Sequence, residues 1–322
     1  MSDTLIITNG DSAVDVLRAG GLEGTILPWR DVLHDGPVPG GLDLDELSSV
    51  RAEFISAMGW ADRDSVAGSF LERDDLLADF RRFRQVTLWF EHDLYDQLQI
   101  LQILHWFSGQ EVVEPLLCLM CSDSYLGLIE PEDVKILAAL EQPVSPQQLS
   151  LARNAWEAFR KQSPSAFRDL LDTDLSALPF LKRAVFRQLQ EYPDSTTGLS
   201  RTQTVILRLL RDEPRHGGRL FGDYQRTEEA RFMGDLSFWL VLDELLNSDQ
   251  PLVALANGEK RYDPRNRADV FQLTDAGHQV LSAESFWLDK HAIDRWIGGV
   301  HLEPGNYWLF NGITRTMIPH KR

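Results

Sequence analysis

"TLIIT" (residues 4–8), "NGDS" (9–12) and "AVDVLRAG" (13–20) together decide how the first half of this chain folds. An apolar run of that length, bounded by turn formers, reads as a strand buried on both faces. The spacing of Ala13, Val14 and Leu17 then reads as a short helix stopped at Gly20-Gly21. A strand that hands directly to a helix opens a β–α unit, and repetition of that unit makes a parallel sheet.

The unit does repeat. "GTILPW" (24–29) predicts a second strand, "QVTLWF" (85–90) a third and "VEPLLCLM" (113–120) a fourth. Between them, "LDELSSVRAEFISAMGW" (44–60) and "DDLLADFRRF" (74–83) have helical periodicity. "DLYDQLQILQILHWF" (93–107) places Leu94, Leu98, Leu101 and His105 on one stripe. The expected fold class is α/β: an N-terminal parallel-sheet (Rossmann-like) domain over 1–128, a helical connector over 129–198 and a winged-helix-like C-terminal domain over 199–322.

Residues 129–198 read as helical throughout, and "YPDSTTG" (192–198) marks the main boundary. Beyond it, Ser200 caps a helix in "SRTQTVILRLLRD", a second helix is expected around "RTEEARFM" (226–233) and a third in "DLSFWLVLDELL" (235–246). "LVALA" (252–256) and "VFQLT" (270–274) form a hairpin, and "DAGHQVL" (275–281) is a last helix. Three helices and a hairpin is the order of a winged helix-turn-helix domain. The tail "DRWIGGVHLEPGNYWLFNG" (294–312), rich in aromatic residues and glycine, reads as extended structure.

At 322 residues, 43% hydrophobic and 25% charged, the chain has the composition of a soluble globular protein. Nothing in it approaches the roughly 18 apolar residues of a membrane span, and "MSDTLIITNG" lacks a basic leader, so a cytoplasmic location and no membrane partner are expected. The two cysteines, Cys118 and Cys121, lie three apart in a strand and so point to opposite faces, which suits neither a disulfide nor a redox pair. Residues 1–150 hold 9 Lys and Arg against 26 Asp and Glu, whereas 151–322 hold 23 of each. The acidic first half repels phosphate backbones, so any nucleic-acid contact belongs to the second half.

"ITNGDSAVDVLR", "PWRDVLHDGPVP" and "LWFEHDLYDQLQILQIL", in that order, resemble the N-terminal domain of the bacterial family called domain of unknown function 1835. "GLSRTQ", "FMGDLSFW", "LTDAGHQVL" and "DRWIGGVHL" look like the C-terminal part of the same architecture. The resemblance touches most of the chain and implies no reaction.

Ligands of open parallel sheets bind beyond the carboxyl ends of the strands, and polar residues fall there in sets. Asn9, Gly10, Asp11 and Ser12 follow the first strand; Arg30, Asp31, His34 and Asp35 the second; Glu91, His92, Asp93, Asp96 and Gln97 the third; Ser122, Asp123, Ser124 and Tyr125 the fourth. The candidate ligand-binding residues are Gly10, Asp11, Ser12, Arg30, Asp31, Asp93 and Asp96. The candidate catalytic groups are His34, His92 and Ser12. Arginine's planar fork clamps a phosphate or carboxylate, and imidazole titrates near neutrality. Ser12 has three readings: a helix cap with Asp15 three residues on, part of an anion cradle, or a nucleophile. The last rests on a Gly-Asp-Ser tripeptide like that of GDSL-type esterases. Asp31-x-x-His34 and Asp275-x-x-His278 have the spacing of those enzymes' acid–histidine pair, but neither falls in the expected place.

Gly10 is expected to serve a positive backbone dihedral, and Arg30 to pair with its neighbour Asp31. An N/O set of His34, Asp35, His92, Asp93 and Asp96 lacks the tight spacing of a dedicated metal motif, and no Walker or Gly-x-Gly-x-x-Gly loop is present. No cofactor and no metal are therefore expected, and the partner implied is a small anionic molecule. A homo-oligomer stays open.

For nucleic acid the signs conflict. Arg201, Arg208, Arg211, Arg215, Arg219 and Arg226 outnumber Asp212, Glu213 and Asp223, and a wing with Lys260, Arg261, Arg265 and Arg267 beside Asp263 adds charge. The third helix, which would enter the groove, carries Asp235, Asp243 and Glu244 and no Lys or Arg. That favours a packing or dimerisation module over a nucleic-acid reader, and a small-molecule site in the first half over both.

Overall fold

The computed structural model describes residues 3–110, 116–259 and 269–321. The chain divides into two compact units, Met1–Val185 with Gly298–Val300, and Phe186–Ile297 with His301–Arg322. The expected division at 198 is later than this one. The turn formers of "YPDSTTG" lie inside the second unit, where Asp194 closes a turn by accepting from the amides of Thr196 (2.7 Å) and Thr197 (3.3 Å).

In the first unit β1 (Thr4–Thr8), α1 (Asp11–Ala19), β2 (Thr25–Pro28) and the two-residue β3 (Gly36–Pro37) are followed by helices α2 (Leu44–Ala57) and α3 (Arg63–Ala78). Then come β4 (Gln85–Glu91), α4 (Leu94–Ser108), β5 (Leu116–Ser122), α5 (Val134–Ala138), β6 (Gln142–Pro143), α6 (Pro146–Phe159) and α7 (Ser165–Asp169), and the division at Val185 falls within α8 (Leu181–Leu189). Five strands form one sheet in the order β2-β1-β4-β5-β6. All neighbours run parallel except β6, which is antiparallel to β5. The α/β expectation holds at this level.

The strands read as continuous apolar runs because both faces are covered. Ile6, Trp89 and Met120 pack on one face with Ala13 and Leu17 of α1 and with Leu126 and Val134. Alternation sends Leu5, Ile7, Val86, Leu88 and Phe90, all fully buried, to the other face. α4 packs on β4 and α6. It is buried nearly all round, Gln97, Gln99 and Gln102 included, so the single stripe through Leu94, Leu98, Leu101 and His105 understates its burial.

Two expectations need correction here. Residues 129–198 are not helical throughout, since Gln142 and Pro143 pair with Leu119 and Cys118 as a sheet edge. Proline suits that position because an edge strand need not donate on its outer side. The helix expected from Asp74 begins earlier, at Arg63, capped by Asp62 accepting from the amides of Asp64 and Ser65.

The second unit contains α9 (Arg201–Asp212), β7 (Arg215–His216), α10 (Gly217–Gln225), α11 (Asp235–Asn247), β8 (Val253–Leu255), β9 (Val270–Leu273) and α12 (Asp275–Leu281). The tail supplies β10 (Arg295–Gly298), β11 (Val300–Leu302), β12 (Asn306–Asn311) and β13 (Thr316–Lys321). β8 and β9 pair antiparallel as expected, and β7 adds a third strand in the order β7-β9-β8. Ser200 caps α9 in a full capping box with Gln203.

The second helix is not at "RTEEARFM" but at Gly217–Gln225, ahead of it. Gly217-Gly218 looks like a breaker, yet a Cβ at Gly217 would press on the Trp239 ring at 2.8 Å, so glycine allows the helices to meet closely. The proposed wing charges Lys260, Arg261, Asp263, Arg265 and Arg267 lie outside the described residues. Among the described residues, no helix is long and apolar enough to cross a membrane.

Gly277, between Asp275 and His278, has a packing role. A Cβ there would overlap the carbonyl oxygen of Leu252 and the Leu273 side chain. Backbone cannot yield as a side chain can. Gly277→Ala is expected to cost about 1–3 kcal/mol, read as a lower midpoint in urea unfolding at unchanged slope.

Candidate functional site

β1 and β4 are neighbours, but their outgoing connections diverge, β1 leading through α1 to β2 and β4 through α4 toward β5. Such a switch point opens a crevice beyond the strand ends. Asn9 leaves β1 there and Glu91 ends β4, and the two meet: Asn9 Nδ2 donates to Glu91 Oε1 at 2.9 Å and to both oxygens of Asp96 at 3.0 and 3.1 Å. The amide of Glu91 also donates to Asp96, and the amide of Leu126 donates to Glu91 Oε1 at 2.8 Å. Asp93 caps α4 by accepting from the Asp96 amide at 3.1 Å. Tyr95 donates its hydroxyl to the Asn9 carbonyl at 3.2 Å.

Three buried carboxyl groups thus share one small volume. Oxygens of Glu91, Asp93 and Asp96 all lie within 4.8 Å of one another. Burial, then mutual repulsion, pushes Asp93 up to about 8 and raises Asp96 well above the carboxylate range; burial also raises Glu91. Burial pushes the neighbouring Cys121 thiol up to about 12, although Gln97 donates to it at 3.4 Å. Asp93 therefore keeps its proton at neutral pH. Three carboxylates are the ligand type that hard divalent cations take, but fewer than the six or more oxygens such ions need.

Above this node the rim is exposed. Arg30 grips Asp11 with two nitrogens, at 2.6 Å from Nη2 and 2.9 Å from Nε. That hydrogen bond, against slight burial, lowers the Asp11 pKa and raises that of Arg30. Both side chains are open to solvent, 47% and 69% exposed, so the pair is weakly held. Arg30 has φ 31°, a strained value for a residue with a Cβ. The fork is thus presented by unusual backbone.

The expected residues fall into three groups. Arg30, Asp11, Gly10 and Ser12 lie on the exposed rim; Asp93 and Asp96 lie in the buried node; Asp31 lies elsewhere. Asp31 does not pair with Arg30. It is fully buried against Arg51, whose Nε donates to it at 2.9 Å while its other nitrogens bind the carbonyls of Asp35 (2.7 Å), Val32 (2.8 Å) and Pro37 (3.2 Å). Arg51 therefore organises the loop that carries Arg30 and His34.

Ser12 is not the cap of α1. The cap position is Gly10, which provides no side chain, and Ser12 lies in the first turn with its Cβ against Gly127. Gly10 has φ 176°, extended backbone open to any residue, so the expected positive dihedral is absent. Ser12 makes no hydrogen bond to a histidine among the described residues, so it lacks the base a nucleophile needs. His34 is buried, its Nε2 3.5 Å from Asp35 and its ring edge-on to Tyr95 at 6.0 Å. His92, 9% exposed, packs on Tyr125 at 5.2 Å and Phe180 at 5.9 Å.

Glu91, Tyr95 and Arg51 were not among the candidates. Glu91, the last residue of its strand, was legible as a rim position. Arg51, on an amphipathic helix, looks like any surface arginine. No protein-family model matches the chain, and no curated protein matches it either.

Proposed function

We propose that the rim at the β1–β4 switch binds a small molecule through a phosphate or carboxylate group. The observation that carries this is the start of α1: its first amides have no side-chain cap, and the exposed Arg30 fork beside them already holds a carboxylate, that of Asp11. Free amides and the positive helix end favour an anion. An incoming anion displaces Asp11 cheaply, because a solvent-exposed pair contributes little. The buried carboxyls beneath, with pKa values raised by burial, supply an exchangeable proton. Hydrolysis is the reaction class this reading extends to, with the buried His34 and His92 as the nearby imidazoles. A Rossmann-like classification of the sheet unit, and membership of the domain of unknown function 1835 family on the motifs quoted above, belong to the same proposal.

In thermal unfolding, inorganic phosphate is expected to raise the melting temperature of the wild type saturably. A concentration 100 times the dissociation constant stabilises by about 2.7 kcal/mol. Arg30→Ala should abolish the response, and Asp11→Ala should shift it to lower phosphate by about two- to fivefold. Equal responses in wild type and Arg30→Ala would refute the site.

The alternative, a regulator reading nucleic acid through a winged-helix-like second unit, draws on the order α9-β7-α10-α11-β8-β9. Its basic edge is largely neutralised within the protein. Arg201 pairs with Glu228, Arg211 with Asp212, Arg215 and Arg226 with Asp223, and Arg219 with Glu213. α11 offers exposed Leu236 and Leu240 where a groove-reading helix needs donors. The small-molecule reading stands ahead of it.

A further inference from the structure

A cavity of about 660 Å³ lies wholly within the second unit, beside α9. Its volume is that of a small-molecule pocket. α9 turns Ile206, Leu207 and Leu210 into the core, whereas Arg201, Thr204, Val205, Arg208 and Leu209 line the cavity. The rest of the lining includes Tyr192, Leu199, Leu281 and Phe310.

The polar groups of this lining are unevenly committed. Asp194 accepts from the amides of Thr196 and Thr197 through Oδ1 alone, and Asp212 faces Arg211 at 3.8 Å. Arg201 is spent on Glu228 and on the carbonyl of Thr227. Arg208 has no ion pair among the described residues, and the side chains of Gln190 and Thr204 have no hydrogen-bond partner among them. Tyr192 is the telling member. It is 3% exposed, yet its hydroxyl makes no hydrogen bond among the described residues, and burial raises its pKa with nothing opposing. The hydroxyl itself keeps accessible surface, so it is reachable from the cavity rather than sealed in without a partner.

Apart from Asp194 Oδ2, the uncommitted groups Arg208, Gln190, Thr204 and Tyr192 can all donate, and they share the cavity with the apolar Val205, Leu209, Leu281 and Phe310. We infer that this cavity is a second binding site, for a small organic carboxylate with an apolar body. The carboxylate accepts from Arg208 and the Tyr192 hydroxyl, and the body lies on the aliphatic side chains. Since every lining residue lies in the second unit, this inference is independent of the phosphate site proposed above.

The test is isothermal titration of the full-length protein with octanoate, and with 1-octanol as the uncharged match. Octanoate is expected to bind saturably at one site, at least tenfold tighter than octanol. Arg208→Ala, a change at an exposed side chain, should weaken octanoate about tenfold or more and leave octanol unaltered. Tyr192→Phe should weaken octanoate severalfold, and Val205→Trp, which fills the cavity, should abolish binding of both. If Val205→Trp does not fold, Thr204→Trp on the same wall replaces it. Absence of octanoate binding, or equal binding by wild type and Arg208→Ala, overturns the inference, as does binding that survives a filled cavity.

Discussion

Replacing Arg51 with alanine is expected to lower the free energy of unfolding by about 3–5 kcal/mol. Neither Arg51 nor Asp31 has any exposed side-chain surface, and the arginine also satisfies three backbone carbonyls of the loop from Val32 to Pro37. Its removal leaves the Asp31 carboxylate buried with no cation and three carbonyls short of a donor. Arg51→Lys keeps the charge but loses the planar fork, so it should recover only part of the loss. The double variant Arg51→Ala/Asp31→Ala should be less destabilised than the sum of its single changes, because it removes the stranded charge. Urea unfolding of the wild type, Arg51→Ala, Arg51→Lys, Asp31→Ala and the double variant decides the matter. A loss under about 1 kcal/mol in Arg51→Ala would show that the loop does not depend on this anchor.

The second large effect is on pH dependence. Asp93 has its folded pKa pushed up to about 8, and those of Asp96 and Glu91 are raised as well. In the unfolded chain these groups titrate near ~4. Between those values the folded protein keeps protons that the unfolded chain has released, so stability falls as pH rises through the window. The stabilisation is complete below pH ~4 and gone above the folded values. The expected slope from pH 5 to 8 is a little over ~1 kcal/mol per pH unit for each retained proton.

Asp93→Asn preserves the cap, since asparagine caps a helix as well as aspartate does. It removes one titrating group and one source of repulsion on Asp96. The variant should be more stable than wild type at pH 8, and its stability profile should be flatter by about one proton. Unfolding midpoints at half-unit steps from pH 5 to 8.5 provide the check. A wild-type profile that is flat, or one that Asp93→Asn leaves unaltered, would mean that the three carboxyls are not protonated together.

Much of this architecture was legible in local patterns. Short apolar runs located the four parallel strands, because a strand covered on both faces leaves little room for polar residues along it. Capping chemistry likewise announced α9 through Ser200 and Gln203. Strand order was not legible, since it depends on which edges meet after the helices pack. Yet that order is what makes β1 and β4 neighbours, and so brings Asn9 onto Glu91 and Asp96 from 82 and 87 residues away.

Local reading failed where a side chain's partner lies far along the chain. Asp31 beside Arg30 looks like a pair, but the fold buries the first against Arg51 and turns the second outward to Asp11. The second helix of the second unit lies at Gly217–Gln225 rather than at residues 226–233, and the Trp239 ring leaves no room for a side chain at its first residue. Composition and periodicity determined the strands, the helices and the acidic character of the first half, all of which depend on neighbouring residues. Only tertiary packing decided which carboxyls lose their water and gather in one volume. Desolvation and charge repulsion belong to groups brought close in space, not in sequence.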